Sequence, residues 1–300
     1  MTHLINIAYG ISCGMVSAGI AITSKLMTPG IPILVKIFVR FLIGGICLIP
    51  FLSRSEFKKV RKQHILLFGA MGLTLVVLFN ILFFSALKYI DPMTSALILS
   101  AQPIVTLIVS ALLLCHLPTK RVLGGFILAF CGVALVITKG QMNLDFFSGS
   151  IGELLMLAAV GSQVMYTFIL RTISKHFSAQ FIAFSVSVSG LLLLLPLVAN
   201  RTNLTIVTEF SFIDWLCMSY IGVAGTTLGV VLFSLTIKHL GPALGSLIVF
   251  STLPVATMAY SFIVGQTPSN LELIGSFCVL IGLVLGLEKQ KKLPNSTLVE

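Results

Sequence analysis

Long apolar stretches recur along the whole chain, with short polar segments between them. Each stretch is close to the roughly 20 residues that a helix needs to cross a hydrocarbon core of about 30 Å, at about 1.5 Å per residue. Proline and glycine mark several of the breaks, as at Pro29–Gly30 and Gly241–Pro242. The pattern predicts ten helical spans, over residues 4–25, 31–52, 65–87, 92–115, 122–138, 151–171, 179–199, 212–236, 242–264 and 271–288.

The composition excludes a chain that is mainly in water. Of the 300 residues, 57% are hydrophobic and 9% are charged, and the mean hydropathy is +1.09. Soluble domains carry about 25% charged residues. The predicted fold class is therefore an all-α integral membrane protein, with no stretch left over for a soluble domain.

The basic residues indicate an orientation and not a nucleic-acid partner. They form short clusters between apolar runs, such as the one from Arg54 to Lys62. If both termini are cytoplasmic, thirteen of the 19 Lys and Arg residues lie on the inner side and five on the outer side. This bias predicts a multi-pass protein of the cytoplasmic (inner) membrane with both termini inside, including a tail over 291–300.

The two halves of the chain resemble each other. Residues near the end of each half match at a spacing of 150, and earlier residues match at a spacing of 146. Examples are Pro92 with Pro242, Gly125 with Gly275, Gly132 with Gly282, and Gly44 with Gly190. Because each half has five spans, an odd number, the second half must enter from the opposite side of the membrane. The sequence predicts two five-helix units, 1–140 and 150–290, as an inverted-topology repeat typical of secondary transporters.

The stretch "FFSALKYIDPMTSALILSAQPIVTLIVSALLL" with "VLGGFILAFCGVALVITK" resembles the EamA unit of the drug/metabolite transporter superfamily. The stretch "LFSLTIKHLGPALGSLIVFSTLPVATMAYSFIVGQTPSNLELIGSFCVLIGLVLGLEK" resembles it again. The resemblance implies ten helices, a central cavity and alternating access. It also implies amino acids, other metabolites or drugs as substrates. Where the family often has a glutamate after the fourth helix of each unit, this chain has His116 and Gln266.

Arg40 is the most informative single residue. It lies about nine residues, or about 14 Å, into the second span, close to the middle of the membrane. A charge at that depth needs a partner or a wet cavity. A structural anchor and a contact with a substrate anion both remain open. The matching position in the second half is Val186, so the charge is not duplicated.

Two prolines lie in the middle of predicted spans four and nine, at positions that align between the halves to within one residue: Pro103 and Pro254. Proline lacks an amide hydrogen, so a carbonyl one turn earlier loses its usual partner. Such helix breaks point either to a packing kink or to a transport site.

Several large polar side chains also fall within predicted spans. An interhelical hydrogen bond and a place in the substrate-binding lining are the two interpretations of each. Together with Arg40, the candidate substrate-binding residues are Asn80, Gln102, Gln163, Tyr166 and Tyr260.

No aspartate or glutamate lies deep in a span, and no motif for a phosphate, a metal or a catalytic nucleophile is present. The sequence therefore predicts no enzyme, no cofactor and no metal site. It predicts a secondary transporter of a small polar metabolite, with an amino acid or its derivative first. An exporter of amphipathic drugs and a non-transporting membrane scaffold are the alternatives. The expected partners are a small-molecule substrate and the lipid bilayer, and the oligomeric state is left open, with a monomer as one possibility.

Overall fold

A computed structural model describes residues 2–25, 27–28, 30–90, 92–114, 118–138, 150–201, 204–250 and 269–286. Within these ranges the secondary structure is helical, without a strand. The α-helices in chain order are α1 (Thr2–Lys25), α2 (Ile33–Leu48), α3 (Arg54–Lys59), α4 (Lys62–Met71), α5 (Phe79–Ala86), α6 (Pro92–Ser100), α7 (Gln102–Leu114), α8 (Lys120–Thr138), α9 (Ile151–Ile173), α10 (Ala179–Arg201), α11 (Phe212–Tyr220), α12 (Gly229–Leu240), α13 (Pro242–Phe250) and α14 (Asn270–Gly286).

The outer surface of the bundle is apolar. Leu66 is 76% exposed and Phe212 is 83% exposed, as expected for side chains that face lipid. Seven described helical segments are long and apolar enough to cross a membrane: Ile33–Phe51, Lys62–Ala86, Thr94–Leu113, Lys120–Thr138, Ile151–Ile173, Ala179–Ala199 and Phe212–Leu240. The prediction of an all-α, multi-pass membrane protein is confirmed.

Two of these segments contain a π-helical stretch that the sequence pattern did not predict. Gly72–Leu78 joins α4 to α5, and Ile221–Leu228 joins α11 to α12. Asn80 stabilises the first stretch, because its Nδ2 donates to the carbonyls of Leu75 (3.1 Å) and Val76 (2.9 Å). Short π-helical stretches widen a helix locally and often occur at functional sites.

A helix of each half packs against one of these stretches. Gly44 of α2 lies against Ile221–Leu228, where an added Cβ would be 3.0 Å from the carbonyl oxygen of Gly222. Gly190 of α10 lies against Gly72–Leu78, where an added Cβ would be 2.5 Å from the side chain of Val76. Only glycine allows the helices to approach this closely.

The helices α8 and α14 touch through their backbones. An added Cβ on Gly125 would be 2.7 Å from the carbonyl oxygen of Gly282, and one on Gly132 would be 2.5 Å from that of Gly275. The residue numbers rise along one helix as they fall along the other, so the helices cross antiparallel. The paired glycines of these two spans therefore serve close helix packing.

Two carboxylates join loops at the two ends of α2. Before α2, Asp214 accepts hydrogen bonds from the backbone N–H (2.8 Å) and the hydroxyl (2.7 Å) of Thr28. After α2, Glu56 accepts hydrogen bonds from the backbone N–H and the hydroxyl of Ser178, both at 2.7 Å. These two contacts tie each half of the chain to the other.

Candidate functional site

Arg40 lies in the middle of α2 and is oriented by the π-helical stretch Ile221–Leu228. Its Nε donates to Oγ1 of Thr226 at 2.7 Å, and its Cζ lies 5.4 Å from the ring centroid of Phe41. Among the described residues, no carboxylate pairs with the guanidinium, and its two terminal nitrogens have no hydrogen-bond partner. The planar pair of donors that suits a carboxylate is therefore still available.

Tyr166 lies in the buried cluster next to this arginine. The side chain, on α9, is 1% exposed and stacks on Phe233 of α12, with ring centroids 6.2 Å apart. Its hydroxyl has no hydrogen-bond partner of good geometry in the described part of the chain, although Ser234 and Cys13 are close to it. Cys13, Phe41, Tyr166 and Phe233 belong to one continuous apolar cluster, so the phenol oxygen has few polar groups around it.

The π-helical stretch and α12 connect these two sites. Thr226, which accepts from Arg40, and Phe233, which stacks on Tyr166, are seven residues apart along one continuous helical segment. Seven residues make about two turns, so the two side chains share a face about 10 Å apart. Between them the thiol of Cys13 donates to the carbonyl of Gly229 at 3.4 Å, which fixes α1 against the same face.

Two glutamines, one on α9 and one on α7, extend the polar set. Gln163 precedes Tyr166 by three residues and so shares its face. Its Oε1 is buried without a partner among the described residues. Gln102, in the first turn of α7, is 0% exposed, and neither its Nε2 nor its Oε1 has a partner there. Leu99 and Val105, which flank Gln102 at a spacing of three, pack against the apolar cluster that contains Val160 and Val164 of α9.

The buried side-chain nitrogen and oxygen atoms that lack a partner in the described ranges belong to three of the predicted residues: Gln102, Gln163 and Tyr166. Each such atom costs about 1–3 kcal/mol of stability, so a protein that keeps several of them in its membrane-crossing helices needs a reason. A polar ligand that enters between the helices supplies one, because it can bond to the atoms that the fold leaves unpaired.

The remaining predicted residues fall outside this set. Asn80 is buried, as Gln102 is, but its amide bonds to carbonyls of its own helix. Pro103 lies in the first turn of α7, two residues after the turn at Ala101 that separates α6 from α7. Tyr260, Pro254, His116 and Gln266 lie outside the described residues.

Sequence reasoning did not identify Thr226 as the partner of Arg40 or the hydrogen bond of Cys13 to Gly229. In the sequence, Thr226 belongs to an apolar run that predicts an ordinary α-helix, and Cys13 is predicted to be a small packing residue. The position of Thr226 beside Thr227 could have indicated a role in hydrogen bonding. Two adjacent hydroxyl groups deep in a membrane span need hydrogen-bond partners. Thr227 finds one in the carbonyl of Gly44 at 2.9 Å.

The model of the EamA-like transporter family matches the chain twice, over residues 4–138 and 150–287. The chain belongs to this family. As an EamA-like transporter it is also similar to named relatives of Bacillus subtilis (strain 168). The uncharacterized transporter YetK is 28% identical over 275 residues, which are 90% of this chain and 83% of YetK. The uncharacterized transporter YyaM is 28% identical over 234 residues, which are 78% of this chain and 75% of YyaM.

A solved crystal structure shares the fold of this EamA-like transporter. The two chains superpose with a TM-score of 0.76, at 15% sequence identity, over 94% of this chain and 97% of the other. The likeness extends over nearly the full length of both chains and therefore includes both halves of the molecule.

Proposed function

We propose that this EamA-like transporter is a secondary transporter that moves a small polar metabolite across the cytoplasmic membrane by alternating access. An amino acid or amino-acid derivative is the first candidate substrate. The observation that supports this proposal is a set of buried polar atoms that have no hydrogen-bond partner among the described residues. They belong to Gln102, Gln163 and Tyr166, which lie within long membrane-crossing helices.

The chemistry of this set suits a zwitterion. Arg40 offers two free donors to a carboxylate, and the amide oxygens of the two glutamines can accept from an ammonium group. Each polar group is neutral or positive, so a substrate with a free negative end and a small donor end complements all of them. An amphipathic drug would leave most of these atoms unpaired.

Internal symmetry supports the two-unit, inverted arrangement that alternating access uses. Exchanging the halves by the spacing of 150 converts the contact of Gly125 with Gly282 into the contact of Gly275 with Gly132, and both contacts are present. A contact between antiparallel helices that is unchanged by this exchange lies on a two-fold axis perpendicular to the helices. The two family matches and the two π-helical stretches, one per half, agree with the same repeat.

The glutamines provide a direct test of the binding site. Gln102→Leu and Gln163→Leu keep the side-chain size and remove polar atoms that have no partner, so they should fold as well as the wild type or better. Purified protein in liposomes, tested with a panel of labelled amino acids, should nevertheless lose at least about tenfold in uptake when either residue is changed.

Gln180→Leu is the matched control, because Gln180 is exposed at the start of α10 and should not affect uptake. Normal uptake by both glutamine variants would remove these residues from the site. If wild-type liposomes move none of the amino acids, an amphipathic dye panel distinguishes a drug exporter, which moves the dyes, from a scaffold, which moves nothing.

The proposed orientation is tested separately from transport. In a background without native cysteines, Ser55→Cys should react with an impermeant thiol reagent only after cell lysis, because residues 53–64 face the cytoplasm in this proposal. Tyr89→Cys is the control, since Tyr89 is exposed on the predicted outer side and should be labelled in intact cells. Labelling of the Ser55→Cys variant without lysis would reverse the orientation.

A further inference from the structure

A basic cleft opens at the end of the bundle where α3 meets α4 and the loop after α9. It has a volume of about 420 Å³ and is lined by Lys58, Lys59, Arg61, His64, His176 and Phe177. A water molecule occupies about 30 Å³ in the liquid, so the cleft accommodates a group much larger than a single small ion.

The positive charge of this cleft is not neutralised by any carboxylate in the described part of the chain. Glu56 is the nearest acid along the chain, and both of its oxygens are already bonded to Ser178. Among the described residues, no carboxylate pairs with Lys58 or Lys59, and both lysines are exposed. The wall behind them is rigid, because the His64 ring packs edge-on against Phe177 at 4.9 Å and lies 5.8 Å from the His176 ring.

The cleft also lies at the edge of the apolar surface. Ile65 and Leu66 follow His64 directly and are both strongly exposed at the start of the membrane-crossing segment Lys62–Ala86. On the α3 side, Phe57 precedes Lys58 and leaves half of its ring exposed while its edge packs on Phe181. The cationic groups that line the cleft are therefore direct chain neighbours of lipid-facing side chains.

We propose that this cleft binds the phosphate-bearing headgroup of an anionic phospholipid. The lysines and Arg61 pair with the headgroup phosphate, and the acyl chains run along Ile65 and Leu66. Basic pockets between membrane helices recognise anionic headgroups in this way, and a soluble phosphate would have no use for the apolar edge. The site is separate from the buried polar atoms of the transport proposal and depends only on the position of the cleft at the membrane boundary.

Lipid binding can be measured on the full-length protein without any transport assay. Native mass spectrometry of detergent-purified protein, titrated with phosphatidylglycerol and with phosphatidylcholine, should show tighter binding of phosphatidylglycerol. Lys58→Gln combined with Lys59→Gln should weaken phosphatidylglycerol binding about tenfold or more, because each juxtamembrane lysine contributes to the attraction. Phosphatidylcholine binding should not change.

The control removes the same charge elsewhere: Lys120→Gln with Lys238→Gln changes two exposed lysines outside the cleft and should bind phosphatidylglycerol like the wild type. Equal losses in the two double variants would mean a general effect of net charge and overturn the proposal. Protection from heat by inorganic phosphate that equals the protection by phosphatidylglycerol, and is lost in the Lys58/Lys59 variant, would identify a soluble anion as the occupant and overturn the choice of a lipid.

Discussion

The packing of α2 against Ile221–Leu228 and the packing of α10 against Gly72–Leu78 share a geometry but differ in chemistry. In both, a glycine allows a helix to approach a π-helical stretch closely. The first contact carries Arg40 bonded to Thr226, whereas the second has Val186 and Val76 in a continuous apolar cluster. Because the second contact forms without a charge, this packing does not require Arg40. The comparison favours substrate contact over a structural anchor as the role of this arginine.

The largest expected effect comes from giving the apolar contact a charge. Val186 is 0% exposed, so Val186→Arg would bury a cation that has no partner, at a cost of about 3 kcal/mol or more. Little folded protein should reach the membrane, as measured by fluorescence-detected size exclusion. Val186→Thr, which keeps the shape of the side chain and can bond to its own helix, should fold normally. A normal yield of Val186→Arg would mean that this contact is wet, and the comparison would fail.

The reverse exchange should separate folding from transport. Arg40→Val copies the residue of the second half and should fold well, but it should lose about tenfold to a hundredfold in uptake per folded molecule, since a hydrogen bond to a charged group contributes about 1.5–3 kcal/mol. Arg40→Lys keeps the charge and loses the planar fork, so it should mainly raise the apparent KM. If Arg40→Val instead lowers the amount of folded protein and leaves uptake per folded molecule unchanged, Arg40 is an anchor.

A smaller effect is expected from the residue that orients Arg40. Thr226→Val removes the hydroxyl that accepts from Nε and keeps the shape, so the guanidinium loses its position but not its charge. Uptake per folded molecule should fall severalfold with little change in thermal stability. Thr227→Val is the control: it removes the bond to the carbonyl of Gly44, which contributes about 0.6 kcal/mol to packing, and should leave uptake unchanged. Equal effects of both variants on uptake would mean that general packing of this region controls transport.

Sequence patterns predicted where the helices lie, because apolar runs and proline or glycine breaks are local features. They did not predict the π-helical stretches, which depend on side-chain bonds such as those of Asn80 and on tertiary packing. The candidate site shows the same limit. Asn80, Gln102 and Gln163 have similar depth in the sequence, yet only the glutamines keep unpaired atoms. The depth of a residue in the membrane can be estimated by counting along the sequence. The direction of its side chain and its hydrogen-bond partner depend on the tertiary structure.

The crossing of α8 and α14 restricts how the two halves can move. At this crossing an added Cβ on each glycine would meet a backbone carbonyl of the other helix, and the side chains of Val136 and Val279 close the space beside it. A screw displacement of one helix by one residue would bring Phe126 or Val133 to the position of a glycine, where no space for a side chain exists. Such a displacement is therefore blocked, whereas a small change in the crossing angle leaves each glycine opposite the same carbonyl. The four glycines therefore fix the register of the two helices and leave their crossing angle free to change.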